Sequence, residues 1–238
     1  MEATNLLYRD PELYDVVQSD STSAGMCQAL IESYRPDART LVDFGCGTGR
    51  DLEILAKHFE CIGVDLQPGM VDYAHRTRPG LDIRAGDMRT VRLRRRMDVV
   101  TCMGNSLAYV HDNEEISQVF ATFAAHARPG ALLALCSPVA PLTGPEPVAA
   151  TVDTSTGPAT VTIRHEWDLR TQINTMYRHW VLPSGDEAQD EIRRRVLFPR
   201  ELERYAESAG FEVLDMTDGT GEGLTGSTAY TVARYSRG

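Results

Sequence analysis

The stretch Leu41-Val42-Asp43-Phe44-Gly45-Cys46-Gly47-Thr48-Gly49-Arg50 confines this chain more tightly than any other, because it reads as a buried strand turning through glycines into a helix. Gly45 and Gly47 open backbone conformations closed to residues with a Cβ and let a ligand approach the main chain. Gly49 falls where the helix leaves the strand, and its missing side chain permits close helix–strand packing. An α/β protein makes a nucleotide-sized slot in this way, although a glycine turn of this kind also serves a purely architectural purpose. Arg50 stands where the third glycine of a dinucleotide fingerprint, Gly-x-Gly-x-x-Gly, belongs, so a nicotinamide oxidoreductase is disfavoured.

The apolar runs around this turn alternate in the βα manner. Strands are expected at 40–44, 61–65, 81–85, 97–103 and 130–137, with helices at 49–58, 68–77 and 113–127. Ser21 or Ser23 caps an earlier helix that ends at Tyr34, before Pro36. Short strands without polar alternation suit a sheet covered on both faces, and right-handed crossovers make it parallel. After Cys136 the pattern changes. Prolines at 138, 141, 145, 147 and 158 mark 138–158 as a loop and a candidate lid, followed by strands near 159–168, 172–182 and 189–198. A helix from Pro199 to Ala209 and strands near 211–216 and 228–234 return the chain to the main sheet. The expected architecture is α/β: a Rossmann-like, doubly wound, mostly parallel seven-stranded sheet with an antiparallel β insertion toward the C-terminus.

A length of 238 residues suits one such unit with an appendage, and a net charge of −10 argues against nucleic acid as the main partner. The runs Arg94-Arg95-Arg96 and Arg193-Arg194-Arg195 read as solvated faces, the second also as an anion contact. Cys27, Cys46, Cys61, Cys102 and Cys136 lack Cys-x-x-Cys spacing and sit in apolar runs, as buried reduced thiols do. With neither a basic, apolar leader at Met1-Glu2-Ala3-Thr4-Asn5 nor a long apolar run, no membrane partner is expected, and a soluble cytoplasmic protein is.

Acidic residues recur at the carboxyl ends of the proposed strands, where an open α/β sheet binds its ligand. Asp65 lies some 20 residues past the glycine loop, where a carboxylate takes both hydroxyls of a ribose. Asp87 follows the third strand, suited to an adenine amino group while Met88 packs on the ring, and Asp43 lies near where a ligand ammonium would sit. Each carboxylate alone also fits a cap or a turn. Three in register after successive strands point to a ligand.

In these residues the chain resembles the class I S-adenosylmethionine-dependent methyltransferases. The likeness rests on Val42 to Gly49, Gly63-Val64-Asp65-Leu66, Ala85-Gly86-Asp87-Met88, Val99 to Ser106 and Arg128-Pro129-Gly130-Ala131-Leu132-Leu133. The resemblance implies S-adenosyl-L-methionine as cofactor and no metal. It implies that Gly45, Cys46 and Gly47, with Asp43, line the methionine part, Asp65 and Leu66 the ribose, and Asp87 with Met88 the adenine. Cys102, Met103 and Gly104 would face the sulfonium. It further implies one methyltransferase domain over 1–238, with a helical flap at 1–36 and a loop plus β insertion at 138–198 covering the acceptor. Within the family the chain is most similar to N,N-dimethyltransferases of nucleotide-linked amino sugars, through Glu12-Leu13-Tyr14-Asp15, Gly86-Asp87-Met88-Arg89 and Val100-Thr101-Cys102-Met103. Tyr109 stands where those enzymes often carry histidine, and Leu135-Cys136-Ser137-Pro138 lacks their acidic residue and tryptophans. The expected reaction is methyl transfer to an amine nitrogen of a small molecule in natural-product biosynthesis. An O-methyltransferase and a non-methylating cofactor-binding protein stay open. A homodimer is compatible with the chain.

Tyr14, Tyr109, His111 and His179 are the candidate catalytic residues, with His165 beside them. An aromatic flap at Tyr14 would hold a sulfonium by cation–π attraction. His165 and His179 lie near Trp167 and Trp180, where strand histidines also serve as packing residues.

Overall fold

Thr40–Phe44 (β1) is buried at every position, as a central strand must be. The computed structural model, which describes residues 5–142, 147–220 and 223–237, places it between Glu60–Asp65 (β2) and Met97–Cys102 (β4), both parallel to it. Asp82–Ala85 (β3) extends the sheet beyond β2, and Ala127–Pro138 (β5) beyond β4. Phe211–Thr217 (β10) and Thr228–Tyr235 (β11) complete it as an antiparallel hairpin, giving the order β10-β11-β5-β4-β1-β2-β3. The expected mostly parallel seven-stranded sheet is therefore present.

Alternation along the strands divides the core. Val42, Phe44, Val100 and Leu133 meet Phe120 and Phe123 of Asn113–His126 (α6) and Leu202 of Pro199–Ser208 (α7). Leu41, Val99 and Leu132 face the other way, onto Ile31 of Thr22–Tyr34 (α3), Leu52 of Arg50–Leu55 (α4) and Val71 of Pro68–Thr77 (α5). α4 is shorter than the 49–58 expected.

Val148–Thr154 (β6), Gly157–Asp168 (β7), Ile173–Val181 (β8) and Glu187–Arg195 (β9) form a second, wholly antiparallel sheet. β6 corrects the reading of 138–158 as loop throughout. Pro147 precedes β6 and Pro158 is the second residue of β7, so neither interrupts β6, which pairs with β7 from Val148↔Ile163 to Thr154↔Gly157. Residues 143–146 of that expected loop, and 1–4 of the flap, lie outside the described residues. Among the described residues no helix is long and apolar enough to cross a membrane.

The N-terminal segment forms two short helices, Leu6–Arg9 (α1) and Pro11–Val17 (α2). Asn5 caps the first by accepting from the Leu7 N–H at 3.0 Å, and Asp10 caps the second by accepting from the Leu13 N–H at 3.0 Å. They pack on the inner face of the second sheet, where Leu7 meets Ala159, Val161 and Trp180. Arg178 and Asp190 fasten the joint: Arg178 Nη2 donates to Asn5 Oδ1 at 2.7 Å and the Leu6 N–H to Asp190 Oδ2 at 2.7 Å.

Gly49 has a φ of +78°, and a Cβ there would collide with Ile83 on β3. Gly49→Ala is expected to destabilise the fold by about 1–3 kcal/mol, through backbone strain and overpacking together. Urea unfolding would read this as a lower midpoint at an unchanged m-value, and an unaltered midpoint would refute it.

Candidate active site

Strand order reverses between β1 and β4, and a cleft opens at their carboxyl ends, as the geometry of doubly wound sheets requires. It holds about 880 Å³ of space free of protein atoms, part of it open to solvent. The glycine turn is its floor. The N–H groups of Gly45 and Cys46 donate to the Val64 carbonyl at 2.7 and 3.2 Å, which folds the turn onto β2. Asp65 then holds it in place: Oδ2 accepts from the Gly47 N–H at 2.8 Å and Oδ1 from the Gln67 N–H at 2.8 Å. Gly45 has a φ of +80°, and a Cβ there would run into Ser106.

Three tyrosines make the opposite wall. Tyr8 of α1 has its ring 6.1 Å from that of Tyr14 of α2 and 5.6 Å from that of Tyr109, which ends the 3₁₀ turn Ser106–Tyr109. A Cβ on Gly47 would come within 3.5 Å of the Tyr14 hydroxyl, so floor and wall nearly touch. Asp15 latches α2 to the floor, accepting from the Thr48 hydroxyl and from Arg78 Nη2 at 2.7 Å. Burial pushes the Tyr14 and Tyr8 phenols well above their ordinary range, and both stay protonated at neutral pH.

The cleft holds unmet charge. Burial raises the Asp43 carboxyl to about 7, against the opposing effect of the Thr101 hydroxyl bond at 2.8 Å, with Asp51 and Asp65 adding to the rise. Burial raises Asp65 too, opposed by the backbone N–H groups it accepts from. Arg50 also lines the cleft. Its Nη2 lies 3.1 Å from Asp51, while Nε and Nη1 are buried without an acceptor.

Of the residues singled out by sequence, Asp43, Gly45, Cys46, Gly47, Asp65, Leu66, Met88, Met103 and Gly104 line this cleft together with Tyr14 and Tyr109. Asp87 lines an adjoining hollow with Met88 and Tyr109; Arg89 pairs with it at 2.6 Å and holds its carboxyl below the usual range. Three expectations are corrected. Cys102 is fully buried in the hydrophobic core, because the strand's alternation turns it away from the opening that Met103 reaches. His179 lies on the outward face of β8 with Glu187 at 3.1 Å. His111 meets the Arg193 carbonyl at 3.0 Å and lines neither hollow. His165 is 3.1 Å from Asn174, away from the tyrosines. Sequence reasoning missed Tyr8, Gln67, Met70 and Ser106, and read Arg50 only as an absent glycine. The Asp10-Pro11 cap was the available signal for Tyr8, since it separates two helices that each present a tyrosine.

The family described as methyltransferase domain matches residues 41–130. Over 230 residues the chain is 32% identical to a dTDP-3-amino-3,6-dideoxy-alpha-D-glucopyranose N,N-dimethyltransferase of Streptomyces fradiae, spanning 90% of this chain and 88% of the relative. It is 36% identical over 105 residues, 44% of each chain, to a dTDP-3-amino-3,4,6-trideoxy-alpha-D-glucopyranose N,N-dimethyltransferase of Streptomyces venezuelae. Among solved structures, CalS10 with bound S-adenosylmethionine superimposes with a TM-score of 0.82 at 26% identity over 99% of both chains. That protein is an amino pentose methyltransferase from Micromonospora echinaspora involved in calicheamicin biosynthesis.

Asp43 ties the ligand-free fold to pH. Its carboxyl rises from 3.8 to about 7 on folding, so between those values the folded chain holds a proton that the unfolded chain has released. Its contribution to stability therefore falls as pH rises through that window. Asp43→Asn is expected to flatten this dependence and to raise the ligand-free melting temperature at pH 8 relative to wild type. Parallel pH profiles for the two proteins would sink the assignment.

Proposed function

Because this chain belongs to the class I S-adenosylmethionine-dependent methyltransferases, we propose that it methylates the amine nitrogen of a nucleotide-linked amino sugar in natural-product biosynthesis. The observation that carries this reading is the extent of the likeness to an amino sugar N,N-dimethyltransferase: it covers 90% of the chain, well beyond the glycine turn and its strands.

The cleft suits the cofactor on the chemistry of its side chains. Asp43, a buried carboxylate that burial makes reluctant to ionise, is completed by an ammonium. Arg50, with two buried nitrogens lacking acceptors, is completed by a carboxylate. An amino acid moiety supplies both charges. A carboxylate has about four acceptor positions. Asp65 spends two on backbone N–H groups, which leaves two for ribose hydroxyls. Leu66 and Met88 flank the position for a purine, with Asp87 beside it.

When bound, this cofactor supplies a methyl group made electrophilic by a sulfonium. The chain supplies alignment, the larger share of what an in-line displacement needs. Tyr8, Tyr14 and Tyr109 wall the cleft with aromatic faces, which favour a cation and exclude water. Tyr8 and Tyr14 remain protonated, so neither serves as a base. On this reading the acceptor amine enters with its lone pair free and releases its proton after attack. On this account the rate follows the amine's own ionisation and rises with pH until the amine is neutral.

Labelled methyl incorporation into a panel of amino sugars, nucleotide-linked sugars and hydroxyl-bearing analogues tests the reading. Transfer to an amine supports it; transfer only to hydroxyls, or none despite cofactor binding, overturns it. Asp65→Ala is expected to weaken binding of S-adenosylhomocysteine by about 1–3 kcal/mol through lost charge-assisted hydrogen bonds. An unchanged dissociation constant in calorimetry would remove Asp65 from the site.

A further inference from the structure

The turn after β3 carries Asp87, Met88 and Arg89 to the hollow beside the cleft, and α6 holds that turn from behind at three points. The Arg89 guanidinium meets Glu115, the Thr122 hydroxyl donates to the Arg89 carbonyl at 3.0 Å, and the Leu93 N–H donates to His126 Nε2 at 2.9 Å. Residues 115, 122 and 126 share one face of the helix, being seven and four positions apart. His126 is buried and its Nδ1–H donates to the Thr122 carbonyl at 2.7 Å, so the ring presents an acceptor to the turn. Within the turn the N–H groups of Thr90 and Val91 donate to the Asp87 carbonyl at 3.0 and 2.8 Å.

The side chains of the turn are fixed more closely than anchoring alone requires. Asp87 Oδ1 accepts from the Arg89 N–H at 2.8 Å, Oδ2 accepts from Nη2 at 2.6 Å, and Nε lies 2.9 Å from both oxygens. Three donors fill three of the about four acceptor positions of a carboxylate, which leaves one for a ligand. Nη1 is held by Glu115, so the guanidinium is gripped on both edges and cannot swing away from Asp87. Glu115 itself sits in the first turn of α6, where the helix dipole favours a carboxylate. Asp82 and Arg84 pair at the same spacing on the exposed edge of β3, but Arg89 has in addition this partner from another element. The Arg89 bonds also hold the Asp87 carboxyl below its usual range, so the group stays ionised and only accepts.

We propose that Arg89, braced by Glu115, is a positioning residue that presents Asp87 as one fixed acceptor, and that this arrangement makes the cofactor site select a 6-amino purine over a 6-oxo purine. The proposal rests on the reading that sets the purine beside Asp87, and adds what decides the choice of base. An amino group there supplies the N–H that the last acceptor position lacks. A carbonyl oxygen there faces an ionised carboxylate that Arg89 keeps from turning aside, and a repulsion of that kind rejects the wrong partner as firmly as a new contact favours the right one. Without Arg89 the carboxylate is free to rotate toward solvent, so the right base loses a preorganised partner and the wrong one escapes the repulsion.

Calorimetry on the full chain with S-adenosylhomocysteine and S-inosylhomocysteine, which exchange only the amino group for an oxygen, tests it. Wild type is expected to prefer the adenosyl ligand by about tenfold or more. Arg89→Met is expected to cut that preference to about threefold or less, chiefly by weakening the adenosyl ligand, and Arg89→Lys to restore part of it, since an ammonium pairs with Asp87 but lacks the fork. Glu115→Gln is expected to lower the preference by a smaller factor, and Glu114→Gln, at the exposed neighbouring position, to leave it unchanged. A purely structural role for Arg89 predicts that both ligands weaken by the same factor; that result, or a wild type without preference, would overturn the proposal. If Arg89→Met fails to fold, Arg89→Lys and Glu115→Gln decide the matter. Asp87→Asn, whose amide can turn an N–H toward an oxygen, is expected to abolish or reverse the preference. An unchanged preference in that variant would remove the purine from Asp87 and the proposal with it, whereas failure of wild type to bind S-adenosylhomocysteine at all would strike the cofactor reading itself.

Discussion

The Asp65 carboxylate is the tie on which the cleft depends. β2 delivers it to the sheet's carboxyl edge, level with the glycine turn that β1 delivers alongside. Its bonds to the Gly47 and Gln67 N–H groups pin two chain reversals to one side chain. Burial alone would favour the neutral acid, whereas hydrogen bonds to a charged acceptor are worth about 1.5–3 kcal/mol each and favour the ion. A carboxylate that already shapes the turn is thereby aimed at whatever enters. The same atoms that organise the backbone remain available to a ligand.

Around this tie the molecule assembles a site from two sources and a support. The parallel sheet contributes carboxylates at strand ends, the N-terminal helices contribute aromatic rings, and the antiparallel sheet carries those helices. The joint between the last two is itself ionic: Arg178 is paired with Asp190 and lies 4.9 Å from the Trp180 ring, and both charged partners also hold the first helix at Asn5 and Leu6. Breaking either partner would leave the other charge buried, so the N-terminal helices are positioned firmly despite their length.

The central strands were legible in the sequence because strands buried on both faces read as uninterrupted apolar runs, and the glycine turn and carboxylates follow them at fixed offsets. β6 was not legible, because an edge strand half open to solvent carries little apolar signal, and the prolines before it and at the start of the next strand read as loop. Nor were α1 and α2, whose information sits in the Asn5 and Asp10 caps and not in periodicity. The assignments at Cys102 and His179 missed by parity. Neighbouring residues on a strand point to opposite faces, and a one-residue difference separates Cys102 from Met103. Which of these reaches a cavity depends on register across strands, which no local pattern encodes.

Floor and wall of the cleft come from distant parts of the chain, and Asp15, Thr48 and Arg78 hold them together at one edge. Whatever lies between Tyr14 and Gly47 touches both, so occupancy acts as a clasp on the N-terminus. Its binding free energy adds to the docking of α1 and α2, by an amount that grows with the logarithm of ligand concentration. Residues 5–17 thus become a gauge of how full the site is. Cofactor supply in the surroundings would set how often this end of the protein is open to proteases, and with it how long the molecule lasts.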